Sequence, residues 1–441
     1  MTLRTLRRRV ELGLIVLATV ITVSAYALAG LGRTASIPAN IGPFLAVVLG
    51  LFVFAHLAVR RLANNADGLL LPMAALLNGI GYVFIARLDE SLAGFQAVWT
   101  AVGIGAFVAT LVVIRRPRDL QRYRYTFLFI GLGLLLAPLV PGVGFENLGA
   151  RIWVRLGPVT FQPGEFAKVA LAIFFAGYLV ERRELLSVST FRLGPVMLPD
   201  PRHLGPLLFA WGVSLMIMVA QRDLGSSLLF FTLVIVMLWV ATERASYLVI
   251  GTGLFAAGAF FAYQSFSHVR DRVAIWIDPW DADVIRNEGF QIVQAAYALA
   301  FGGLTGTGIG LGNPDRIPVV ETDFIFAAIG EELGLVGATA ILAAYLLMVG
   351  SGLRIAMQAE GGFEKLLAVG LTTLLGVQAF IIIGGVIRLL PLTGITLPFV
   401  SYGGSSLVAN YVLLALLLRV SDDVTTRQLR RMEREAEAVP A

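Results

Sequence analysis

The sequence predicts an all-α membrane protein that crosses the bilayer about twelve times, with both termini in the cytoplasm. Three observations carry this. Hydrophobic residues make up 57% of the 441, charged residues 14%, and the mean hydropathy is +0.82, more apolar surface than a soluble chain of this length buries. Twelve apolar segments can be marked off, and lipid leaves helices as the only practical way to satisfy their backbone groups. Basic residues also alternate between connections: with the N-terminus inside, 23 of the 34 fall on the cytoplasmic side and 10 outside, while Lys168 lies within a helix.

The segments lie at 12–31, 41–59, 69–87, 96–114, 126–142, 165–180, 205–220, 224–241, 245–263, 324–350, 365–388 and 401–419. The first follows a basic head, MTLRTLRRRVE, and runs for about 20 residues, enough for ~30 Å of hydrocarbon. That length favours a membrane helix over a cleavable leader. A charged cytoplasmic tail follows Arg419. The longest interruption, 264–323, falls outside and is rich in charge, glycine and aromatics, among them Trp276, Trp280, Phe290 and Tyr297. Such loops in compact proteins are commonly functional, and this one is expected to fold short helices back over the outer face. Loop 143–164, also outside, is polar with aromatics.

Composition excludes some chemistry. There is no cysteine, so neither a disulfide framework nor a thiolate metal site is available. The only histidines are His56, His203 and His268, too few for a histidine-rich metal site.

Five polar motifs remain, all on the outer half. In VVETDFIFAAIGEELGLVG, Asp323 stands at the mouth of a helix, where the dipole favours a carboxylate. Helix capping by Thr322 or Asp323 is the competing explanation. Glu331 and Glu332 fall about two turns further in, where ionisable groups face a cavity or a partner, arginines included. In FQPGEFAK, Glu165 and Lys168 are three apart and can pair on one helix face, either as a structural staple or in contact with substrate. Upstream, Arg151 and Trp153 of GARIW place a guanidinium, suited to phosphate oxygens, beside an interfacial aromatic. Finally, PLTGITLPFVSYGGSS at 391–406, which includes Ser401 and Tyr402, breaks a membrane helix with two prolines and three glycines. Irregular backbone at that depth lines a cavity or is buried in protein. QRDLG at 221–225 marks a tight polar turn. An outward cavity with carboxylates, arginines and loop cover fits a transporter or a lipid-processing enzyme.

These residues resemble, in order over about 149–406, the motifs of the SEDS family (RodA, FtsW, SpoVE): GARIW for a GARRW-type motif, FQPGEFAK for FQPSExxK, QRDLGSS for QPDLGT, ETDFIFAAIGEELG for HTDFIFAxxGEExG, and LTGITLPFVSYGGSS for the C-terminal signature. The resemblance implies a ten-helix core at 66–420, preceded by two extra helices in 1–65 and followed by a cytoplasmic tail at 421–441. It also implies a multi-pass protein of the bacterial cytoplasmic membrane that polymerises lipid II into glycan strands at the outer face. Its partner would be a class B penicillin-binding protein in an elongation or division complex; no nucleic-acid partner is expected. Asp323 corresponds to the family's essential acid, as general base or as ligand of a divalent cation, Mg2+ or Mn2+. Glu165 and Lys168 match the FQPSExxK pair. Arg151, Trp153, Arg270, Arg272, Arg286, Ser401 and Tyr402 are the further substrate-binding candidates. Val319 and Glu321 replace a usual Glu and His, and Gly164 a serine; ETD and the extra helices lean towards RodA rather than FtsW. A lipid II flippase and a non-catalytic scaffold for a transpeptidase are the alternatives.

Overall fold

A computed structural model describes residues 3–38, 41–147, 149–157, 159–187, 191–193, 196–198, 201–281, 284 and 289–437. The helices are α1 (Leu3–Thr34), α2 (Ile41–Leu62), α3 (Leu70–Leu88), α4 (Glu90–Val113), α5 (Asp119–Arg122), α6 (Arg124–Leu136), α7 (Pro163–Ser187), α8 (Pro201–Ala220), α9 (Leu224–Thr242), α10 (Ser246–Ser265), α11 (Ser267–Ile277), α12 (Phe290–Gly302), α13 (Ile325–Gln358), α14 (Gly362–Val386) and α15 (Gly404–Glu437). Each of the twelve apolar segments falls on a helix. Among the described residues ten helices are long and apolar enough to cross a membrane, so the chain is a multi-pass membrane protein; the segments at 126–142 and 205–220 lie on shorter apolar stretches, Arg124–Leu139 and Gly205–Ala220.

Helices that are apolar all round are either sheathed by lipid or by one another. Here α3, α7, α14 and α15 form the interior, with α15 89% buried over its apolar stretch, while α10 is 11% buried and faces outward. The interior helix α15 packs on α4, α7 and α14, and α13 packs on α14 and α3. The tail predicted after Arg419 is a direct continuation of α15 to Glu437. It is pinned to the turn after α2, where Asn65 N–H donates to Asp422 Oδ1 at 2.8 Å and Asp67 N–H to Ser421 Oγ at 3.0 Å.

Two small antiparallel sheets amend the all-α expectation. One, β1 (Gly144–Asn147), β2 (Ala150–Leu156) and β3 (Val159–Phe161), covers the mouth of α7. The other pairs β4 (Phe191–Leu193) with β5 (Val196–Leu198). Tight turns with Gly149 and Gly157 at positive φ, beside alternating residues in ARIWVRL, explain the first.

The 264–323 loop differs most from expectation. Its α11 is a surface helix, but α12 and the chain after it dip into the bundle beside α13. That helix is broken at Gly334 (φ 66°, ψ −167°), and the strip 303–308 lies in the break. Leu335 and Val336 N–H donate to the Gly303 and Leu304 carbonyls at 2.9 and 3.2 Å, and Thr307 and Gly308 N–H donate to Glu331 and Glu332 carbonyls at 2.9 and 3.0 Å. Backbone groups freed by the break are thereby satisfied inside protein, as lipid requires. A Cβ on residue 334 would sit 2.3 Å from Gly306 N, at a φ that L side chains avoid. Gly334→Ala is therefore expected to destabilise the fold by more than about 1 kcal/mol, read as a lower thermal midpoint in detergent.

Candidate active site

Asp323 lies between the turn closed by Thr322 N–H on the Val319 carbonyl (3.2 Å) and the first residue of α13. Capping does not explain it: Phe324 is the N-cap residue, and no side chain caps α13. The half-buried carboxyl is pushed up to about 6, chiefly by burial and slightly by neighbouring Glu321, while the Thr322 hydroxyl and Arg272 pull the other way.

The facing wall is the irregular segment 391–403. Gly394 adopts φ 74°, and a Cβ there would point at Asp323 Oδ2 (3.5 Å) and Arg272 Nη2 (3.9 Å). One bare glycine thus opens onto both the acid and the guanidinium. Arg272, on α11, donates from Nη1 to the Leu392 carbonyl at 2.7 Å. Ser401 is buried, and its hydroxyl is used by backbone: it accepts from Leu397 N–H at 2.9 Å and donates to the Thr322 carbonyl. Its hydroxyl thereby ties the 397–401 turn to the residue that precedes the acid. Tyr402 N–H donates to the Glu321 carbonyl at 2.9 Å, and its half-buried phenol is raised by burial and by Asp89 and Glu321.

Two residues beyond Gly394, and so within about 7 Å along the chain, Thr396 joins a second cluster. Its carbonyl accepts from Gln378 Nε2 at 2.8 Å and its hydroxyl bonds Ser406 at 2.7 Å. Gln378 Oε1 accepts from Lys168 Nζ at 3.1 Å, and Lys168 pairs with Glu165 at 2.9 Å. Both partners of that pair are buried, so an unpaired Lys168 would be costly. The structure therefore brings Asp323 and Arg272 together at Gly394, ties Ser401 and Tyr402 to the backbone just before the acid, and links Glu165 and Lys168 to the Gly394 segment through Gln378 and Thr396.

Other expected residues stand apart. Trp153 pairs across the sheet with Phe145, and Arg151 N–H donates to the Gln221 carbonyl at 3.2 Å; both side chains are half-buried. Neither Arg151 nor Trp153 has a hydrogen bond or ion pair to Asp323 among the described residues. Arg270 is exposed on α11, and Arg286 lies outside the described residues. Among the described residues no three acidic or histidine side chains are grouped to hold a metal ion.

Gln378 and Asp223 were missed as site residues. A lone amide inside GVQAFIIIGG was the available signal for Gln378. Asp223, in the QRDLG turn, caps α9 by accepting from Ser226 N–H at 2.9 Å; burial raises it, and Lys168 and Glu165 lie within electrostatic reach. Glu331 and Glu332 are structural. Glu332 pairs with Arg87 at 2.6 Å and accepts from Gly310 N–H, while Glu331 accepts from Asn313 N–H at 2.7 Å, holding the strip that fills the α13 break.

A helical membrane bundle with a half-buried acid, a guanidinium and a broken helix under loop cover fits the class of membrane-embedded lipid-processing enzymes and transporters. The "Cell cycle protein" family model (FtsW, RodA, SpoVE) matches residues 68–426, and the chain belongs to this family. It is 46% identical to the peptidoglycan glycosyltransferase RodA of Mycobacterium tuberculosis over 99% of this chain and 94% of that protein. It is 34% identical to a probable peptidoglycan glycosyltransferase FtsW of Geobacter metallireducens over 80% of this chain and 94% of that one. Two solved structures resemble it. One is a chain from work on polymerization and crosslinking by a peptidoglycan synthase complex (TM-score 0.65, 27% identity, 81% of this chain and 98% of that chain). The other is Thermus thermophilus RodA (TM-score 0.56, 27% identity, 81% and 97%). The family match begins at residue 68, after α2.

Proposed function

We propose that the chain is a RodA-type peptidoglycan glycosyltransferase that polymerises lipid II at the outer face of the bacterial cytoplasmic membrane during elongation. The juxtaposition of Asp323 and Arg272 across Gly394 carries this reading. Growth of the glycan requires a sugar hydroxyl of the acceptor to attack the anomeric carbon of the donor and expel a lipid diphosphate. Asp323 takes the hydroxyl proton as general base. Arg272 meets the diphosphate as its charge is released, with Arg151 and Arg270 as further phosphate contacts. Glu165 and Lys168, through Gln378, hold the shape of the floor.

The basic-residue bias supports both termini lying in the cytoplasm and the Asp323 end facing out. The functional divisions proposed are 1–65, 66–420 and 421–441. Identity of 46% to proteins named RodA, against 34% to ones named FtsW, supports elongation over division. The partner proposed is a class B penicillin-binding protein, consistent with a related chain having been solved in a peptidoglycan synthase complex. A divalent cation held by Asp323 would be an alternative source of positive charge for the leaving group, and no step above depends on it.

The test is polymerisation of labelled lipid II by purified protein, with and without partner and chelator. A flippase or a scaffold yields no polymer. Because a base must be ionised, and Asp323 is pushed up to about 6, kcat should be level above pH 7 and fall about tenfold per pH unit well below 6. A rate unchanged down to pH 5 would sink the assignment of the base.

A further inference from the structure

The helix that presents Arg272 has little to hold it. None of the residues of α11 is buried. Its side-chain hydrogen bonds to other segments fall on the stretch just after α14. Trp276 Nε1–H donates to the Arg388 carbonyl at 3.0 Å, and Arg388 Nη2 donates back to the Trp276 and Ile277 carbonyls at 3.1 and 3.4 Å. Together with the bond from Arg272 to Leu392, these fasten the C-terminal half of α11, from residue 272 to 277.

Residue 388 also breaks a local rule. The end of α14 is a Schellman turn: Leu389 N–H bonds the Gly384 carbonyl at 2.7 Å and Arg388 N–H the Gly385 carbonyl at 3.2 Å. The residue at its left-handed position, φ 62°, is Arg388. Glycine fills that position with least strain. An arginine there, half-buried and committed to two carbonyls of another segment, signals a purpose beyond ending the helix.

We propose that Trp276 and Arg388 form a reciprocal latch that seats α11 on the end of α14 and so fixes Arg272 opposite Asp323. Both are positioning residues: neither need touch substrate. The proposal rests on the reading of Arg272 given above. By holding the guanidinium in place before the diphosphate leaves, the latch removes a reorganisation step from the reaction.

Arg388→Gly separates this role from a structural one, since it relieves the left-handed backbone while deleting the side chain; it should fold at least as well as the parent. Trp276→Phe deletes only the indole donor, and Arg388→Lys keeps a charged donor. Because the chain has no cysteine, spin labels can be placed at Ala274→Cys on α11 and Phe380→Cys on α14, both exposed positions. The expected result is one narrow inter-label distance in the parent, broadened in Arg388→Gly and Trp276→Phe. Polymerisation kcat/KM should fall about tenfold in Arg388→Gly, with partial recovery in Arg388→Lys, and about a hundredfold in Arg272→Ala. The Arg272→Ala/Arg388→Gly double variant should lie within about twofold of Arg272→Ala alone, because the latch acts through Arg272. Unbroadened distances, or losses that simply multiply, would overturn the latch. Full activity of Arg272→Ala with broadened distances in the latch variants would overturn the phosphate reading and leave the seating of α11 standing.

Discussion

Asp323→Asn is expected to lower lipid II polymerisation by at least about a hundredfold while leaving the protein as stable as before, or more so. The loss follows from the role: a positioned base contributes about 10²–10⁴-fold, and an amide cannot take the proton. The stability half follows from the sign of the shift. Burial raises the carboxyl from its ordinary value of 3.8 to about 6. Above that value the folded state must hold an ionised group in a site that disfavours it, so ionisation opposes folding at neutral pH, and that opposition fades as pH falls through about 6. Asparagine keeps the shape and deletes the charge. Thermal midpoints at pH 7.5 and pH 5 make the comparison, with the variant's advantage present at the higher pH and smaller at the lower. A variant that polymerises normally would remove Asp323 from the mechanism. Glu321→Gln is the matched control: its carboxyl neighbours Asp323 but is not assigned a proton, so the expected change in rate is less than about tenfold.

The site was legible where it rests on side chains that lipid makes expensive. Asp323, Glu165 and Lys168 each interrupt apolar sequence, and such residues must have a partner or a purpose. Helix positions were legible for the same reason, since hydropathy alone places all twelve apolar segments. Backbone geometry was not. The break at Gly334 sits within an apolar run that reads as one helix, because a chain that supplies the missing hydrogen bonds, here 303–308, lies about thirty residues upstream. Pairing that distant leaves no local period. The dip of α12 was hidden likewise: thirteen residues span ~20 Å, too short to cross a membrane and long enough to resemble a surface helix. Ser401 shows another limit: its setting among glycines and prolines pointed to an irregular segment, but the partners of its hydroxyl, Thr322 and Leu397, are fixed only by folding.

The second large effect is expected at Arg87, far from the acid in sequence and needed to build its loop. Arg87 on α3 is 4% exposed at its side chain and pairs with Glu332, whose side chain is 0% exposed. It also reaches Asp315 with both carboxylate oxygens at 2.9 Å and the Gly312 carbonyl at 2.8 Å. Its own carbonyl accepts from Arg33 at 2.8 Å, which ties α1 to the same node. Removing one partner of a buried pair leaves an uncompensated charge, costing about 3–5 kcal/mol, whereas replacing both with apolar groups of similar size is often near neutral. Arg87→Met should therefore strip stability by about that amount, and Arg87→Met/Glu332→Leu should recover much of it. Asp315→Asn should cost no more than about 1 kcal/mol, because Asp315 is 58% exposed and water already screens its charge. Thermal unfolding of the three variants in one detergent reads the order. Polymerisation adds a second axis. The double variant is expected to fold and yet remain slow, because Gly312 and Asp315 would have lost the arginine that sets the 303–316 strip, and the turn bearing Asp323 follows directly from it. A double variant with both full stability and full rate would show that the ion pair stabilises the bundle without shaping the site.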